Sequence, residues 1–223
     1  MELGELLGSG RSADVYTIGE DLVLRRYRSG PDARREAAVM EYVAGHGYPV
    51  PRVHPGEEPA TDLVMERLTG PTMLHAMLGG ELSPEAAGDG IARLLLRLHR
   101  IPARCSADPR DRVLHLDLHP DNVMLTPRGP MVIDWSNTEE GLPEEDCAIS
   151  AMILAQVAAD DEDGQAPAAR AAVSALLAGL GAAMDYGDAL ERARDRRGAN
   201  STMTARELSL LDAATALVRE LGR

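Results

Sequence analysis

The stretch of sequence that decides the fold is His115-Leu116-Asp117-Leu118-His119-Pro120-Asp121-Asn122, followed after two short apolar runs by Asp134-Trp135. The apolar runs, residues 123–125 and 131–133, flank a turn that contains two prolines and a glycine. Apolar runs separated by such a turn predict a β-hairpin. We expect the folded hairpin to bring Asn122, at the start of one strand, beside Asp134, at the end of the other.

The spacing of the carboxylates and the amide in this stretch is typical of phosphoryl transfer from ATP. Asp117 lies five residues before Asn122. At that spacing an Asp can orient an acceptor hydroxyl while the Asn holds a magnesium ion, and a second Asp adds another metal ligand. The sequence therefore predicts Asp117 as a catalytic residue, and Asn122 and Asp134 as metal ligands.

With these residues the chain resembles the aminoglycoside-phosphotransferase-like kinases, which share the protein-kinase fold. Their pattern is His-Gly-Asp-x-His-x-x-Asn followed by Ile-Asp-Trp. The residues in step with it are His115, Asp117, His119, Asn122, Ile133, Asp134 and Trp135. The chain departs from the pattern at Leu116, where the family usually has Gly, and at Asp121, where it often has Gly.

The resemblance implies an α+β, two-lobed protein-kinase-like fold. Residues 1–68 would form a nucleotide-binding lobe with a small antiparallel sheet and one helix. Residues 69–223 would form a mostly helical lobe for catalysis and substrate binding.

The resemblance also implies ATP and Mg²⁺ as cofactors and assigns roles around the catalytic segment. Asp117 would accept the proton of the acceptor hydroxyl, and His115 would brace the loop. His119 would either brace the loop as well or lie near the phosphoryl group. Asp146 matches a family Asp that hydrogen-bonds the loop backbone, although an ordinary helix-start carboxylate would look the same.

The start of the chain contains a candidate phosphate loop. Its residues, Gly8, Ser9, Gly10, Arg11 and Ser12, lie between predicted strands at 3–7 and 13–18. Glycines let backbone N–H groups approach phosphate oxygens closely, and a serine can donate a further hydrogen bond. An ordinary turn with two glycines is the alternative.

The chain contains no lysine, and all 23 of its basic residues are arginine. Kinases of this fold normally use a lysine to hold the α- and β-phosphates. That lysine aligns with Arg25 in a third predicted strand, at 22–27, so Arg25 is the candidate replacement. Arginine is longer and has a planar fork, so the two are not equivalent. The alternative is that Arg25 is a solvated strand residue.

A predicted helix at 31–45 supplies a partner for Arg25. At 100° per residue, Glu36 lies in the sector of the apolar stripe formed by Val39, Met40 and Val43. An unpaired buried carboxylate is costly, so we expect Glu36 to pair with Arg25. In the connector after a strand predicted at 61–66, the resemblance implies that backbone atoms of Glu66 and Leu68 bind adenine.

Residues 69–223 are predicted to be mostly helical. The sequence predicts helices that begin at Pro84 and Pro143, and two more at 166–183 and 204–221. His99 is expected to be a packing or surface residue. The acidic run at 160–163 is expected to be a solvated loop, with binding of substrate amines as the alternative.

Composition limits the classes of partner. A net charge of −13, from 36 acidic and 23 basic residues, disfavours nucleic-acid binding. The acidity could serve solubility, or it could attract a cationic substrate. No signal peptide is evident, and the longest weakly polar run is too short to cross a bilayer. Cys105 and Cys147 are isolated, which favours free thiols in the cytoplasm.

Together these features predict an ATP-dependent small-molecule O-phosphotransferase that transfers the γ-phosphate to a substrate hydroxyl. The alternatives are a kinase of an amino alcohol or sugar metabolite, and a nucleotide-binding pseudokinase with a regulatory role. The missing lysine favours the pseudokinase, whereas Asp117, Asn122 and Asp134 oppose it. Protein-kinase activity is not expected, because no segment resembles the activation segment from Asp-Phe-Gly to Ala-Pro-Glu.

Overall fold

The protein has an α+β structure, seen in a computed structural model that describes residues 3–10, 12–28, 33–54, 59–181 and 187–223. The chain divides into two compact units. The sheet unit contains Met1–Pro71 and Met124–Thr138, and the helical unit contains Thr72–Val123 and Glu139–Arg223. The lobe boundary expected at residue 68 stays a prediction.

The sheet unit is built on an antiparallel sheet of four strands in the order β1-β2-β3-β4. The strands are β1 Leu6–Ser9, β2 Ala13–Ile18, β3 Leu22–Tyr27 and β4 Asp62–Glu66. Arg25 on β3 lies opposite Val15 on β2 and Leu63 on β4. It therefore occupies a central strand, where its side chain is surrounded by protein.

The predicted helix and hairpin complete the sheet unit. Helix α1 is described as Ala33–Gly45, because residues 31 and 32 of the predicted helix lie outside the described residues. The hairpin is confirmed as β6 Val123–Thr126 paired with β7 Gly129–Val132. After it, the fully buried Trp135 packs edge-on against Tyr48, with ring centroids 5.6 Å apart. This contact fixes the chain just beyond Asp134.

The helical unit contains seven described helices and a short two-stranded sheet. The helices are α2 Met73–Leu78, α3 Pro84–Leu98, α4 Pro143–Ala158, α5 Ala166–Leu180, α6 Ala189–Gly198, α7 Ala205–Ser209 and α8 Leu211–Leu221. The short sheet pairs β5 Arg112–Leu114 with β8 Glu139–Gly141. Helix α3 begins as predicted, with the Ser83 side chain accepting a hydrogen bond from the N–H of Ala86. Among the described residues, no helix is long and apolar enough to span a membrane.

Two helical predictions need correction. The single helix expected at 204–221 is wrong, because α7 ends at Ser209 and α8 starts at Leu211. The Ser209 hydroxyl donates to the Arg206 carbonyl at 2.7 Å, and such local bonds compete with continuation of a helix. Helix α6 was missed, because its mostly polar sequence gives no apolar stripe to detect.

Helices α3 and α5 pack in close backbone contact at Gly88. A Cβ atom added there would lie 2.0 Å from the Ala172 carbonyl oxygen and 2.9 Å from the Leu176 nitrogen. Backbone atoms on the facing helix cannot rotate away as a side chain could. The core of the helical unit therefore depends on a residue without a side chain at this position.

We expect Gly88→Ala to lower the free energy of unfolding by about 1–3 kcal/mol, because the added methyl group overpacks the helix contact. Gly198→Ala, at the end of α6, is the matched control, since its Cβ would make only an ordinary contact at 3.5 Å with Leu211. Better helix propensity should leave this variant unchanged or up to about 1 kcal/mol more stable. Urea unfolding of both variants checks the difference, and equal stabilities would contradict the close packing.

Candidate active site

The Arg25 side chain lies between two carboxylates of the sheet unit. Its Nη1 is 3.4 Å from Glu36 Oε1, and its Nη2 donates to Asp134 Oδ1 at 2.5 Å. Arg25 is only 7% exposed, so the alternative of a solvated strand residue is wrong. The predicted pairing of Glu36 with Arg25 is confirmed, whereas the bond to Asp134 was not predicted. Burial opposes the charge of Arg25, but Glu36 and Asp134 more than offset it and raise the pKa of Arg25.

Glu36 is held by donors in addition to Arg25. The Tyr27 hydroxyl donates to Oε2, and the backbone N–H of Trp135 donates to Oε1 at 3.0 Å. Burial raises the pKa of Glu36, while the charge of Arg25 and the hydrogen bond from Tyr27 oppose that rise. Because its donors come from β3 and from the segment after the hairpin, Glu36 links α1 to both.

Tyr27 is a site residue that the sequence prediction missed. The Arg25 guanidinium lies over its ring, 5.1 Å from the centroid, which is within cation–π range. Burial and the nearby charge of Glu36 raise the pKa of the Tyr27 hydroxyl. Strand alternation could have found it, because Arg25 and Tyr27 are two residues apart on β3 and share a face.

One donor of Arg25 has no partner. Its Nε is buried and makes no hydrogen bond within the described structure, although both of its terminal nitrogens meet carboxylates. A buried donor without an acceptor is unfavourable, and such groups are rare in native proteins. An oxygen of a bound anion would satisfy it, so this position fits a phosphate.

The backbone at Asp134 adopts an uncommon conformation. Its φ of 62° and ψ of 68° are left-handed, a region that Asp tolerates better than most residues. Oδ1 accepts from the Ser136 hydroxyl at 2.7 Å as well as from Arg25. Such conformations cluster at functional sites, where the surrounding contacts hold them in place.

In the helical unit, Asp146 organises the predicted catalytic segment. It is fully buried and accepts from the N–H of His115 at 2.9 Å and of Leu116 at 2.7 Å. This confirms the expected bond to the loop backbone, so an ordinary helix-start carboxylate is the wrong interpretation. His99 Nε2 lies 3.0 Å from Oδ2 of Asp146. His99 is therefore a buried hydrogen-bond partner rather than a surface residue.

The ionised form of Asp146 is favoured despite its depth. Burial raises its pKa, but the hydrogen bond from His99 and the N–H of His115 hold the pKa of Asp146 below its ordinary value of 3.8. The negative charge therefore persists at neutral pH and keeps the loop backbone in place.

Leu116 stands where the family pattern has Gly, and its burial explains how a leucine can occupy that position. Its φ is 61°, a left-handed conformation that glycine adopts freely and that strains a leucine by about 1–2 kcal/mol. The leucine side chain is only 5% exposed, and burying a leucine contributes about 1.5–3 kcal/mol. Burial can therefore offset the strain, so the backbone shape that the family builds with Gly persists here.

The remaining catalytic candidates make short-range contacts within the helical unit. Asn122 Nδ2 donates to the Asp117 carbonyl at 2.9 Å and lies 3.2 Å from His119 Nε2. The Asp121 N–H lies 3.3 Å from the other His119 ring nitrogen. A neutral imidazole accepts at one nitrogen only, so just one of these two contacts is a hydrogen bond at a time. Since the Asn122 amide nitrogen is used in this way, its oxygen is the atom suited to a cation.

His115 has the contacts that a bracing residue needs. Its ring is fully buried, and its Nδ1 accepts from the Asp117 N–H at 3.3 Å. Because the His115 N–H is itself bound to Asp146, the segment before Asp117 is held from both sides.

The candidate phosphate loop is shorter than expected. Strand β1 continues to Ser9, so Gly8 pairs with Val15 and Ser9 with Asp14 within the sheet. The reason is that β1 and β2 continue to pair beyond Leu7, after an irregularity in their register between residues 6 and 8. Gly10 and Ser12 remain between the strands, and Arg11 lies outside the described residues.

At the predicted adenine connector, the Glu66 N–H already donates to the Arg52 carbonyl at 2.8 Å. Its side chain pairs with Arg128 and accepts from the Arg52 N–H. An adenine contact at Glu66 would therefore use its carbonyl oxygen. Leu68 lies in irregular backbone after β4.

The predicted metal ligands, Asn122 and Asp134, have a donor chemistry that suits magnesium. The described residues contain no group of three or more His, Cys, Asp and Glu side chains that could hold a metal ion. The predicted ligands are one carboxylate, Asp134, and one amide, Asn122. Both supply the oxygen atoms that Mg²⁺ prefers, and magnesium at such sites also takes substrate phosphates as ligands. Their placement side by side stays a prediction.

We expect Asp146→Asn to lower the free energy of unfolding by about 2–4 kcal/mol, because an amide nitrogen would replace one acceptor oxygen facing backbone N–H groups. A depressed carboxyl pKa stabilises the fold above the ordinary value of 3.8, and this contribution is lost as the pH falls through the folded-state pKa. The gap between wild type and variant should therefore shrink in acid. Denaturant unfolding across pH measures it, with the exposed Asp212→Asn as control. A gap that widens in acid would contradict the assignment.

Comparisons with known proteins agree on one family. The model of the phosphotransferase enzyme family (APH) matches residues 4–113 and 106–194. No curated protein sequence matches the chain.

Solved structures resemble the whole chain at low sequence identity. ADP-bound aminoglycoside phosphotransferase APH(2'')-Ib is 15% identical, with a TM-score of 0.54, over 100% of this chain and 94% of its own. The streptomycin–ATP complex of APH(2'')-IIa is 14% identical, with a TM-score of 0.56, over 100% and 93%. Amicoumacin kinase hAmiN, in complex with AMP-PNP and Ca²⁺, is 15% identical, with a TM-score of 0.56, over 97% and 87%.

The structural likeness confirms the predicted protein-kinase-like fold. The family model covers well over half of the chain, and its residues include both the Arg25–Glu36 pair and the segment from His115 to Asp134. This protein belongs to the APH phosphotransferase enzyme family.

Proposed function

We propose that this phosphotransferase transfers the γ-phosphate of ATP to a hydroxyl of a small molecule. The observation that carries the proposal is the buried Arg25 guanidinium, fixed between Glu36 and Asp134 with its Nε unpartnered. Three similar solved structures support it, because one is bound to ADP, one to streptomycin and ATP, and one to AMP-PNP, Ca²⁺ and Ami.

Arg25 takes the place of the family lysine and binds the α- and β-phosphates. Glu36 holds it in position, as the Lys–Glu ion pair does in kinases. The loop Gly8, Ser9, Gly10, Arg11 and Ser12 covers the phosphates, and because the Gly10 N–H donates to the Ala13 carbonyl, that N–H is not one of the loop's phosphate donors. Backbone atoms of Glu66 and Leu68 bind the adenine.

Asn122 and Asp134 hold Mg²⁺, which when bound neutralises charge on the phosphates. Asp117 hydrogen-bonds the acceptor hydroxyl and takes its proton. The bond from the γ-phosphorus to the β-bridging oxygen breaks, while a bond from that phosphorus to the acceptor oxygen forms. Positioned proton transfer of this kind contributes about 10²–10⁴-fold. His115 and His119 keep Asp117 and Asn122 in place.

The acceptor is a small hydroxyl-bearing molecule in the cytoplasm, and the acidic surface favours a cationic one over nucleic acid. The acidic run at 160–163 offers less to a substrate amine than its sequence suggests. Asp160 and Glu162 both pair with Arg206. An amino alcohol or sugar metabolite is the alternative acceptor, and a pseudokinase is the alternative function.

A panel of aminoglycosides, macrolides and amino alcohols, assayed for ATP consumption in the presence of Mg²⁺, tests the function. We expect ADP to form at a rate that depends on one class of acceptor. Tight ATP binding without turnover on any acceptor would favour the pseudokinase.

We expect Asp117→Asn to reduce kcat by about 10²–10⁴-fold, because the amide cannot accept the hydroxyl proton. The Kd for ATP should stay within about twofold, since Asp117 does not contact the nucleotide in this scheme. Steady-state kinetics and calorimetry measure the two quantities. Asp108→Asn, a half-exposed position whose carboxylate pairs with Arg110, is the control, and wild-type turnover in Asp117→Asn would rule out the assignment.

We expect Arg25→Met to weaken ATP binding at least tenfold, because the variant loses the contact of Arg25 with the phosphates. A loss of about 1.4 kcal/mol in binding free energy already raises the Kd tenfold. Arg25→Lys should retain part of the affinity, since an ammonium can reach one carboxylate and one phosphate but cannot span both carboxylates. Calorimetric titration with ATP ranks the three proteins. An Arg25→Met protein that is folded and binds ATP like the wild type would contradict the role of Arg25.

A further inference from the structure

Tyr27 contacts both members of the buried ion pair in the sheet unit. The Cζ atom of Arg25 lies over the tyrosine ring, 5.1 Å from its centroid, and the tyrosine hydroxyl donates to Oε2 of Glu36. Tyr27 is itself buried. One side chain with few rotatable bonds therefore meets the cation with its ring and the carboxylate with its hydroxyl.

The sheet fixes Tyr27 beside Arg25. The two residues are two positions apart on β3, so their side chains share a face of the sheet. In the register with β2 they lie opposite Ala13 and Val15. On the other side of the strand, the Tyr27 N–H donates to the Thr61 carbonyl at 2.8 Å. The tyrosine is therefore held next to the arginine by a strand that is bonded on both sides.

The two oxygens of Glu36 are bound by different donors. Oε1 lies 3.4 Å from Nη1 of Arg25 and accepts from the Trp135 N–H at 3.0 Å, whereas Oε2 accepts from the Tyr27 hydroxyl. Burial raises the pKa of the Tyr27 hydroxyl, so this group stays protonated and able to donate at neutral pH. Because the tyrosine binds one oxygen, the carboxylate presents the other to Arg25.

An arginine at this position needs more support than a lysine would. A guanidinium is planar and carries its donors in fixed directions, so its orientation matters as well as its position, and it interacts favourably with an aromatic ring. The buried Nε of Arg25, which has no partner among the described residues, can meet a phosphate oxygen only if that orientation is kept. Tyr27 supplies both an aromatic ring for the cation and a hydrogen bond for its counter-ion.

We propose that Tyr27 is a positioning residue for the nucleotide phosphates, which acts by holding the Arg25 guanidinium against Glu36 in the orientation that offers Nε to the ligand. This inference rests on the proposed ATP-binding function. The ring lies under the cation, and the hydroxyl fixes the carboxylate that pairs with it. In a chain without lysine, the tyrosine thus gives the arginine that replaces it a defined orientation.

Tyr16 offers a matched control on the neighbouring strand. It lies opposite Leu24 in the register of β2 and β3, one position away from the pair formed by Val15 and Arg25. Successive residues of a strand point to opposite faces, so Tyr16 lies on the other face of the sheet from Arg25. Tyr16→Phe therefore removes the same hydroxyl group from the same sheet without removing a donor of Glu36.

Calorimetric titration with ATP tests the proposal on the wild type, Tyr27→Phe, Tyr16→Phe, Arg25→Met and the double variant Arg25→Met/Tyr27→Phe. We expect Tyr27→Phe to weaken ATP binding about threefold to tenfold, because Glu36 loses a donor and holds Arg25 less firmly. Tyr16→Phe should bind like the wild type. In the Arg25→Met background, Tyr27→Phe should cause no further loss, because no guanidinium remains to be oriented.

Adenosine provides a second measurement, because it has the base of ATP without the phosphates. Its affinity is measured by displacement of a fluorescent ATP analogue. We expect the wild type and Tyr27→Phe to bind adenosine within about twofold of each other, since Tyr27 acts only on the phosphates in this scheme. A tyrosine that merely supported the fold would weaken ATP and adenosine binding equally.

The outcomes separate this proposal from the proposed function. A wild type that does not bind ATP would overturn the function itself. Wild-type ATP affinity in Tyr27→Phe, an equal loss in Tyr16→Phe, an equal loss of adenosine affinity, or the same loss in the Arg25→Met background would overturn the role of Tyr27. Thermal unfolding identifies a variant that fails to fold. Phenylalanine keeps the ring that fills the buried position, and if the double variant does not fold, the comparison of ATP with adenosine decides instead.

Discussion

The interaction on which the sheet unit depends is the burial of the Arg25 guanidinium between Glu36 and Asp134. A buried charge is stable only when it is paired and hydrogen-bonded. Here the pairing joins a central strand, the helix α1 and the end of the hairpin. Removing Arg25 would leave two carboxylates without their shared cation, and one of them, Glu36, is buried. The same constraint that orders the unit therefore also fixes the groups proposed to hold the nucleotide.

Arginine and lysine solve this problem differently. A lysine presents one compact charge, whereas the arginine fork reaches two carboxylates with separate nitrogens and has a third nitrogen left over. In this chain that third nitrogen, Nε, is buried and unpartnered. The arginine at this position therefore pairs with both carboxylates and leaves one defined donor without a partner.

The parts of the fold and site that were predictable from sequence are those set by local patterns. Helical phase placed Glu36 on the buried face, Gly and Pro spacing placed the hairpin, and the family pattern located Asp146. The contacts that were missed depend on tertiary packing. The bond of Arg25 to Asp134 and the burial of His99 join segments far apart in sequence, and α6 lacks the apolar stripe that would have revealed it. Tyr27 falls between these two groups. Alternation along β3 places it on the same face as Arg25, but no sequence motif pointed to it.

The most direct test of the proposed role of Arg25 is a crystal structure of the protein with Mg²⁺ and a non-hydrolysable ATP analogue. We predict an oxygen of the α- or β-phosphate within hydrogen-bond distance of Arg25 Nε, with the Arg25–Glu36 pair intact. Phosphates bound away from Arg25, with Nε still unpartnered, would contradict it.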